Sequence, residues 1–362
     1  MKKILQVVGA LGLGGDTVAI MNMAKYIDPT EFQMEFLSHR SMINKSFIND
    51  YCNKGGIIHL IDSDVRRMGF IKYYFAAYNI IKKGQYDVVH VHTSFQSVVV
   101  LLAAYNAGVK KRVCHSHTTM VQRPVKNIIY KCIFNAFLPL IRYVIRILST
   151  DCVACGYEAG MFLFGKNNFK VLYNGIDLNR FNPQHNGIND ALSEYDLNGK
   201  VIIGQIGSIK KMKNQEFAIQ MCSGLTVDYE MFFIGTGSQK CELEDMAKDN
   251  HHIHFLGSRS DIPDLLRKFD VLILPSLPGE GLPVTAIEAQ ACGCPCLMSE
   301  YITHEADLGI GLVKYISLKN IDEWRSMIRK REHRDINISK AISEKGFDIV
   351  KSSINWIEIY RK

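Results

Sequence analysis

Long uncharged apolar runs are missing from this 362-residue chain. A helix that crosses a membrane needs about 20 largely uncharged residues. The most apolar segment, 128–148 (IIYKCIFNAFLPLIRYVIRIL), is interrupted by Lys131, Arg142 and Arg146 and contains Pro139. It reads as a packed helix, or as an interfacial one with its basic face on lipid headgroups. Regular cysteine spacing is missing too. The ten cysteines form no series of pairs, and a chain this long needs no staples, so they read as reduced thiols of a cytoplasmic protein. Cys152 and Cys155 make a CxxC, and Cys292, Cys294 and Cys296 alternate, but neither group has a second pair at zinc spacing. Both read as small core residues. HHIH at 251–254 lacks a second ligand group and reads as surface. There is no fixed-period repeat, no low-complexity tract, and no helix-turn-helix, zinc-finger or RNA-recognition signature, which argues against a nucleic-acid partner. MKKILQVVGA has the charge order of a secretory signal, yet Gln6 breaks its apolar run and a glycine-rich loop follows, so it reads as a first strand.

Composition is that of a soluble globular protein, 47% hydrophobic and 22% charged. The length allows two domains. Charge is divided unevenly: residues 1–175 carry +11 and the remainder −4. A basic first half suggests an anionic partner, either membrane headgroups or a lipid diphosphate lying on them.

Strands alternate with helices twice along the chain. Ile4–Val8, Phe32–Ser38, Ile57–Ile61, Tyr86–His92 and Arg112–His117 read as strands, with helices at Thr17–Tyr26, Phe70–Lys83 and Ser97–Ala107. Asp151–Ala154 reads as another strand. Periodicity is lost from about Val171 to Asn198, as in a linker, with a hinge near Tyr173–Asp177. A second series follows, with strands at Val201–Ile209, MFFIG, IHFLG and VLILP and helices at Glu216–Gly224, Gln239–Asp249 and Ile262–Lys268. Ile338–Tyr360 reads as helical. This pattern predicts an α/β protein of two doubly wound domains, in which ligands sit beyond the carboxyl ends of the strands.

The chemistry concentrates in residues 272–297, LILPSLPGEGLPVTAIEAQACGCPCL. An apolar strand leads through a turn-rich loop to a helix. Glu280 falls in the loop and Glu288 in the helix, both able to face a ligand above the helix N-terminus, where open amides and the dipole suit a phosphate. Gly207–Asn214, GSIKKMKN, follows the first strand of the second domain. Its lysines, Lys213 above all, can neutralise a diphosphate leaving group as charge builds there. The Gly9–Gly15 loop allows close backbone approach. Its spacing is poor for a dinucleotide fingerprint, and Asp28 adjoins Pro29 instead of closing a second strand, which disfavours a nicotinamide oxidoreductase. His90, His92, His115 and His117 fall at strand ends. With no defined acidic or cysteine partner they read as cleft-facing polar residues, not a metal site.

These segments together resemble the family 4 retaining glycosyltransferases of the GT-B fold, and most of all the bacterial branch that builds capsular polysaccharide and exopolysaccharide. The resemblance runs from Gly9 to about Leu318, on GALGLGGDTVAIMN, RVCHSH, YNGIDLNRF, GSIKKMKN and EGLPVTAIEAQACGCP. It implies two Rossmann-like domains facing across a cleft: 1–175 on the acceptor side, joined by a returning segment 338–362, and 176–337 on the nucleotide-sugar side. It implies transfer of a hexose or N-acetylhexosamine from a nucleotide sugar, expected to be UDP-linked, to a hydroxyl of a lipid-linked oligosaccharide, with retention, at the inner face of the cell membrane. No metal or other cofactor is expected.

By the same resemblance Glu288 would bind the ribose, Glu280 the transferred sugar, and Gly281, Leu282 and Pro283 the diphosphate and sugar. Gly207, Ser208 and Lys213 would serve the leaving diphosphate, Gly14 and Gly15 the phosphate or acceptor. His117, with His115 as second choice, would lie at the sugar. Ser208 stands where the family usually has Arg, Asp16-Thr17 where it has Ala-Glu, and the loop before Glu280 is one residue longer than usual. A non-catalytic sugar-nucleotide-binding subunit and a UDP-sugar epimerase of the same fold are the competing expectations.

Overall fold

The computed structural model describes residues 1–9, 11, 15–39, 49, 51–119, 128–166, 168–184, 191–330 and 338–362. They form two compact units, Met1–Gly175 with Ile349–Lys362, and Ile176–Asp348. The chain passes between them twice, at Gly175/Ile176 and at Asp348/Ile349.

The first unit is built on a seven-stranded sheet: β1 (Lys2–Val7), β2 (Phe32–His39), β3 (Ile57–Ile61), β4 (Val88–Val91), β5 (Lys111–Ser116), β6 (Asp151–Ala154) and β7 (Lys170–Val171), in the order β3-β2-β1-β4-β5-β6-β7. All its pairings are parallel. Parallel strands need crossovers, so both faces become covered and both must be apolar. In β1, Leu5 and Val7 join a core with Tyr73, Ala77 and Ile81 of helix Phe70–Gly84 and Val100, Leu101 and Ala104 of helix Ser97–Asn106. Ile4 and Val8 point the other way, into a core shared with Ile20 and Met23 of helix Gly15–Ala24 and with Trp356, Ile359 and Tyr360 of the C-terminal helix Ile349–Arg361. Burying Trp356 and Tyr360 contributes about 1.5–3 kcal/mol for each ring, enough to tie the end of the chain to the first unit.

The second unit repeats the plan with β8 (Val201–Ile206), β9 (Tyr229–Ile234), β10 (Ile253–Gly257), β11 (Val271–Leu274), β12 (Cys296–Ser299) and β13 (Val313–Ile316), in the order β10-β9-β8-β11-β12-β13, also parallel. Its core joins Ile203, Met231, Phe233 and Ile273 of the sheet to Ala218 and Met221 of helix Gln215–Cys222 and to Trp324 of helix Ile321–Met327. In both units the strand order reverses beside the first strand, at β1/β4 and at β8/β11. Ligands of such sheets bind outside the carboxyl ends of strands at that reversal.

Three expectations are corrected. The run 338–360 is not one helix: Ile338–Lys345 and Ile349–Arg361 are separated by Gly346 (φ 85°), and the first of them belongs to the second unit. The aperiodic stretch to Asn198 is part of the second unit and not a linker, and Ile176, Phe181, Ala191 and Leu192 are buried there. His254 of the HHIH run is partly buried: its Nε2 lies 2.6 Å from Glu230 on the neighbouring β9, which also accepts from Lys200. Strands β12 and β13 were not anticipated. Cys292, Cys294 and Cys296 are all fully buried, as small core residues are. Among the described residues no helix is long and apolar enough to cross a membrane.

Candidate active site

The densest polar grouping lies at the reversal of the second sheet, where the loops after β8 and β11 meet. Each loop is held by groups that satisfy the other's backbone. Gln205, near the end of β8, donates from Nε2 to the Lys213 carbonyl at 2.7 Å. Asn214, in the left-handed region at φ 54°, donates from Nδ2 to the Pro275 carbonyl at 3.0 Å. The Leu277 amide donates to the Met212 carbonyl at 2.8 Å. Gly207 has φ 145° and Gly235, after β9, has φ 136°. A Cβ on Gly235 would collide with the Gly207 carbonyl oxygen, and one on Gly237 with that of Ile209. The two turns therefore lie backbone against backbone, a closeness only glycine allows.

This scaffold presents Lys213 in a short turn after β8 and Glu280 in the loop after β11. Lys213 Nζ and Glu280 Oε1 form an ion pair, and both side chains are nearly buried, at 12% and 8% exposure. Two charges so far out of water stabilise each other, and removal of either takes this pairing from a nearly buried charge. The expectation gave these residues separate partners, a sugar and a diphosphate; without a ligand they hold each other.

Next to Glu280 the chain runs through Gly281, Leu282 and Pro283 into helix Val284–Ala291. Pro283 suits the helix entry because its missing N–H would have no intrahelical partner there. The first acceptor in the helix is the Pro283 carbonyl, which takes the Ala286 amide at 3.0 Å. The amides of Gly281, Leu282, Val284 and Thr285 have no acceptor among the described residues. Open amides at a helix start are an anion-binding arrangement. Glu288 lies one turn into this helix, half-buried, its carboxyl with no hydrogen-bond donor among the described residues. Burial raises its carboxyl to about 7, and the Arg180 guanidinium opposes the rise. Sequence reasoning named the NRF motif but gave Arg180 no role; an arginine directly before a buried Phe181 was the available signal. Ser208 is half-buried, its carbonyl accepting from Gln215 Nε2 at 3.2 Å. Lys210 and Lys211, which could replace the charge of the arginine usual at position 208, are exposed.

The first unit carries the other candidates. Gly15 opens helix Gly15–Ala24, while Gly14 lies outside the described residues. His117 directly follows β5 and is half-buried, whereas His115 is fully buried. His90, His92 and His115 have ring nitrogens within 4.8 Å of one another. His90 stacks on His115 at 5.4 Å and 9°, and His92 is tilted to them at 30° and 38°. Both nitrogens of His92 are also engaged, Nε2 with Gln6 and Nδ1 with His117. Burial, reinforced by the neighbouring imidazoles, pushes His90, His92 and His115 well below the usual histidine range, so all three are neutral.

Two doubly wound parallel-sheet units with a lysine–glutamate pair and an open helix start define a glycosyltransferase of the GT-B fold. Residues 13–180 match Glycosyltransferase Family 4 and residues 200–312 match Glycosyl transferases group 1. The chain is 31% identical to EpsF of Bacillus subtilis (strain 168), a protein named as a glycosyltransferase, over 99% of this chain and 96% of that one. It is 27% identical to the UDP-Gal:alpha-D-GlcNAc-diphosphoundecaprenol alpha-1,3-galactosyltransferase of Escherichia coli, over 76% and 75%. It is 23% identical to the capsular polysaccharide biosynthesis glycosyltransferase CapH of Staphylococcus aureus, over 95% and 98%. Among solved structures, Anabaena Alr3699/HepE in complex with UDP superposes with a TM-score of 0.71 at 16% identity, over 100% of this chain and 98% of that one. The chain belongs to the family 4, group 1 glycosyltransferases. It is a glycosyltransferase of the capsule and exopolysaccharide type.

Proposed function

We propose that the protein transfers a hexose or N-acetylhexosamine from a UDP-sugar to a hydroxyl of a lipid-linked oligosaccharide, with retention of anomeric configuration. The observation that carries this reading is the Lys213–Glu280 pair beside the open amides of Gly281 and Leu282. A bound diphosphate would draw Lys213 away from Glu280, leaving the carboxylate to accept hydrogen bonds from the sugar. The amides would share the charge on the departing phosphate, where preorganised donors count most. Glu288 would take the ribose hydroxyls, and Gly207 and Ser208 would line the phosphate path. His117, Gly14 and Gly15 would serve the sugar and acceptor. The acceptor hydroxyl would attack from the leaving-group face and pass its proton to the departing phosphate. Lysine and amide charge take the part a metal ion plays elsewhere.

The names of the relatives support the substrate classes: one uses UDP-Gal and a diphosphoundecaprenol-linked sugar. A peripheral place on the membrane is supported by helix Ile128–Leu148. Phe137, Leu140, Tyr143 and Ile147 form an exposed stripe there, each at least 54% exposed, while Arg142 and Arg146 donate to the carbonyls of Phe162 and Phe164. Such an apolar face suits a membrane interface. The test is transfer from a panel of UDP-, GDP- and ADP-sugars to a polyprenyl-diphosphate sugar, with the product anomer read by NMR. Transfer with inversion, or from no UDP-sugar, would refute the proposal.

A further inference from the structure

The period of two along a strand puts Gln6 of β1, His90 of β4 and His115 of β5 on one face of the first sheet, with His92 and His117 just past the strand ends. This is the face that the C-terminal helix covers. The polar groups there form one continuous chain. Tyr360 Oη lies 2.7 Å from His90 Nδ1, and Gln6 Nε2 donates to the same Oη at 2.9 Å. Gln6 Oε1 lies 2.8 Å from His92 Nε2, and His92 Nδ1 lies 2.8 Å from His117 Nε2. Gln6, Tyr360 and His90 are each at most 1% exposed, and His92 is 7% exposed.

Gln6 gives the chain its direction, because its amide has a donor end and an acceptor end. With the NH2 on Tyr360, the Tyr360 hydroxyl proton goes to His90 Nδ1. His90 keeps its own proton on Nε2; its ring centroid lies 4.8 Å from that of Trp356. With the carbonyl on His92, neutral His92 must carry its proton on Nε2 and offer a lone pair at Nδ1. His117 must then donate from Nε2. We propose that Tyr360, Gln6 and His92 are positioning residues that fix His117 as the Nε2–H tautomer, with Nδ1 as its acceptor nitrogen. His117 Nδ1 is buried in the structure; a sugar hydroxyl that reached it would have to donate its proton. The consequence for transfer rests on the sugar-side role proposed for His117; the tautomer itself does not. Stacking, with His115 and His117 centroids 4.1 Å apart at 28°, keeps the ring from turning.

The test is two-bond 1H–15N correlation spectroscopy on the full chain labelled at histidine, with His117 assigned by its loss in His117→Gln. The expected parent state is Nε2–H. Gln6→Leu removes the acceptor for His92, and Tyr360→Phe frees the Gln6 amide to reverse; each should give a mixture of His117 tautomers. The same variants should lower kcat about tenfold with KM for the donor little changed, as expected when a positioned proton is misplaced. A parent spectrum showing Nδ1–H, or an unchanged His117 in folded Tyr360→Phe, overturns the proposal. If Gln6→Leu fails to fold, Tyr360→Phe decides. Shifted tautomers with unchanged transfer would support the lock and refute the role given to His117 in catalysis.

Discussion

Glu288→Gln should stabilise the second unit while disabling the enzyme. The Glu288 carboxyl is raised from 4.5 to about 7 by burial. Its folded state therefore holds a proton that the unfolded chain has already released between those values. Stability is lost as pH rises from about 4.5 to about 7 and stays lost above. At 1.36 kcal/mol per unit the loss is up to about 3 kcal/mol. Glutamine keeps the shape and cannot ionise. The gain at pH 8 corresponds to about 6–10 °C in the melting temperature of a unit this size, shrinking to nearly nothing at pH 4.5. The two tryptophans make the assay clean, because Trp324 lies in the second unit and Trp356 in the first. In a Trp356→Phe background, tryptophan fluorescence follows the second unit alone. UDP affinity, measured by calorimetry at pH 8, should fall in the same variant. Equal melting temperatures for Glu288→Gln and its parent at pH 8, or a difference that does not vary with pH, would refute the argument.

Lys213→Ala should lower kcat by about two orders of magnitude, the scale of a lost transition-state donor. It should also destabilise the protein by about 3 kcal/mol by removing the ion-pair partner of the nearly buried Glu280; Lys213→Ala/Glu280→Ala should recover most of that stability and none of the activity. Thermal melting and single-turnover transfer separate the two effects. Gly235→Ala should cost about 3 kcal/mol or more, since the backbone is at φ 136° and the new methyl meets the Gly207 carbonyl; an unchanged melting temperature would show that the turns are not packed this closely. Phe137→Ser/Tyr143→Ser should reduce flotation with anionic liposomes severalfold at ~0.1 M salt without altering transfer to a water-soluble acceptor analogue. Unchanged flotation would remove the membrane reading.

The sequence discloses the sheet architecture because each strand and crossover leaves a local trace, and parallel sheets require apolar runs of the kind seen at Leu272–Leu274 or Val88–Val91. Strand ends also locate the ligand side, so Glu280, Glu288 and Lys213 could be nominated from position, whereas His117 was chosen among four strand-end histidines only by the family resemblance. What escaped was pairing. That Lys213 meets Glu280, 67 residues away, depends on β8 and β11 being neighbours at the reversal, which is a fact of strand order and not of spacing. Strands β12 and β13 escaped because Cys296–Ser299 is short and polar-tipped, and because Val313–Ile316 alternates with Lys314 like a half-exposed strand.

The C-terminal helix marks the same limit from the other side. Its apolar spacing identifies it as a helix that must be covered. Nothing local in NWIEIYRK says that Tyr360 will end against Gln6, 354 residues earlier in the chain. The geometry follows once β1 lies beside β4 inside the first sheet. Every second residue of β1, β4 and β5 faces that helix, and the polar ones among them lie toward the carboxyl ends. A helix closing over this row can supply a hydroxyl to some of the buried groups, each worth about 1–3 kcal/mol if left without a partner, although His90 Nε2 and both nitrogens of His115 have none among the described residues. Tyr360 meets that demand for His90 and for Gln6 at once. The last turn of the chain is thereby coupled to the histidine proposed to meet the sugar.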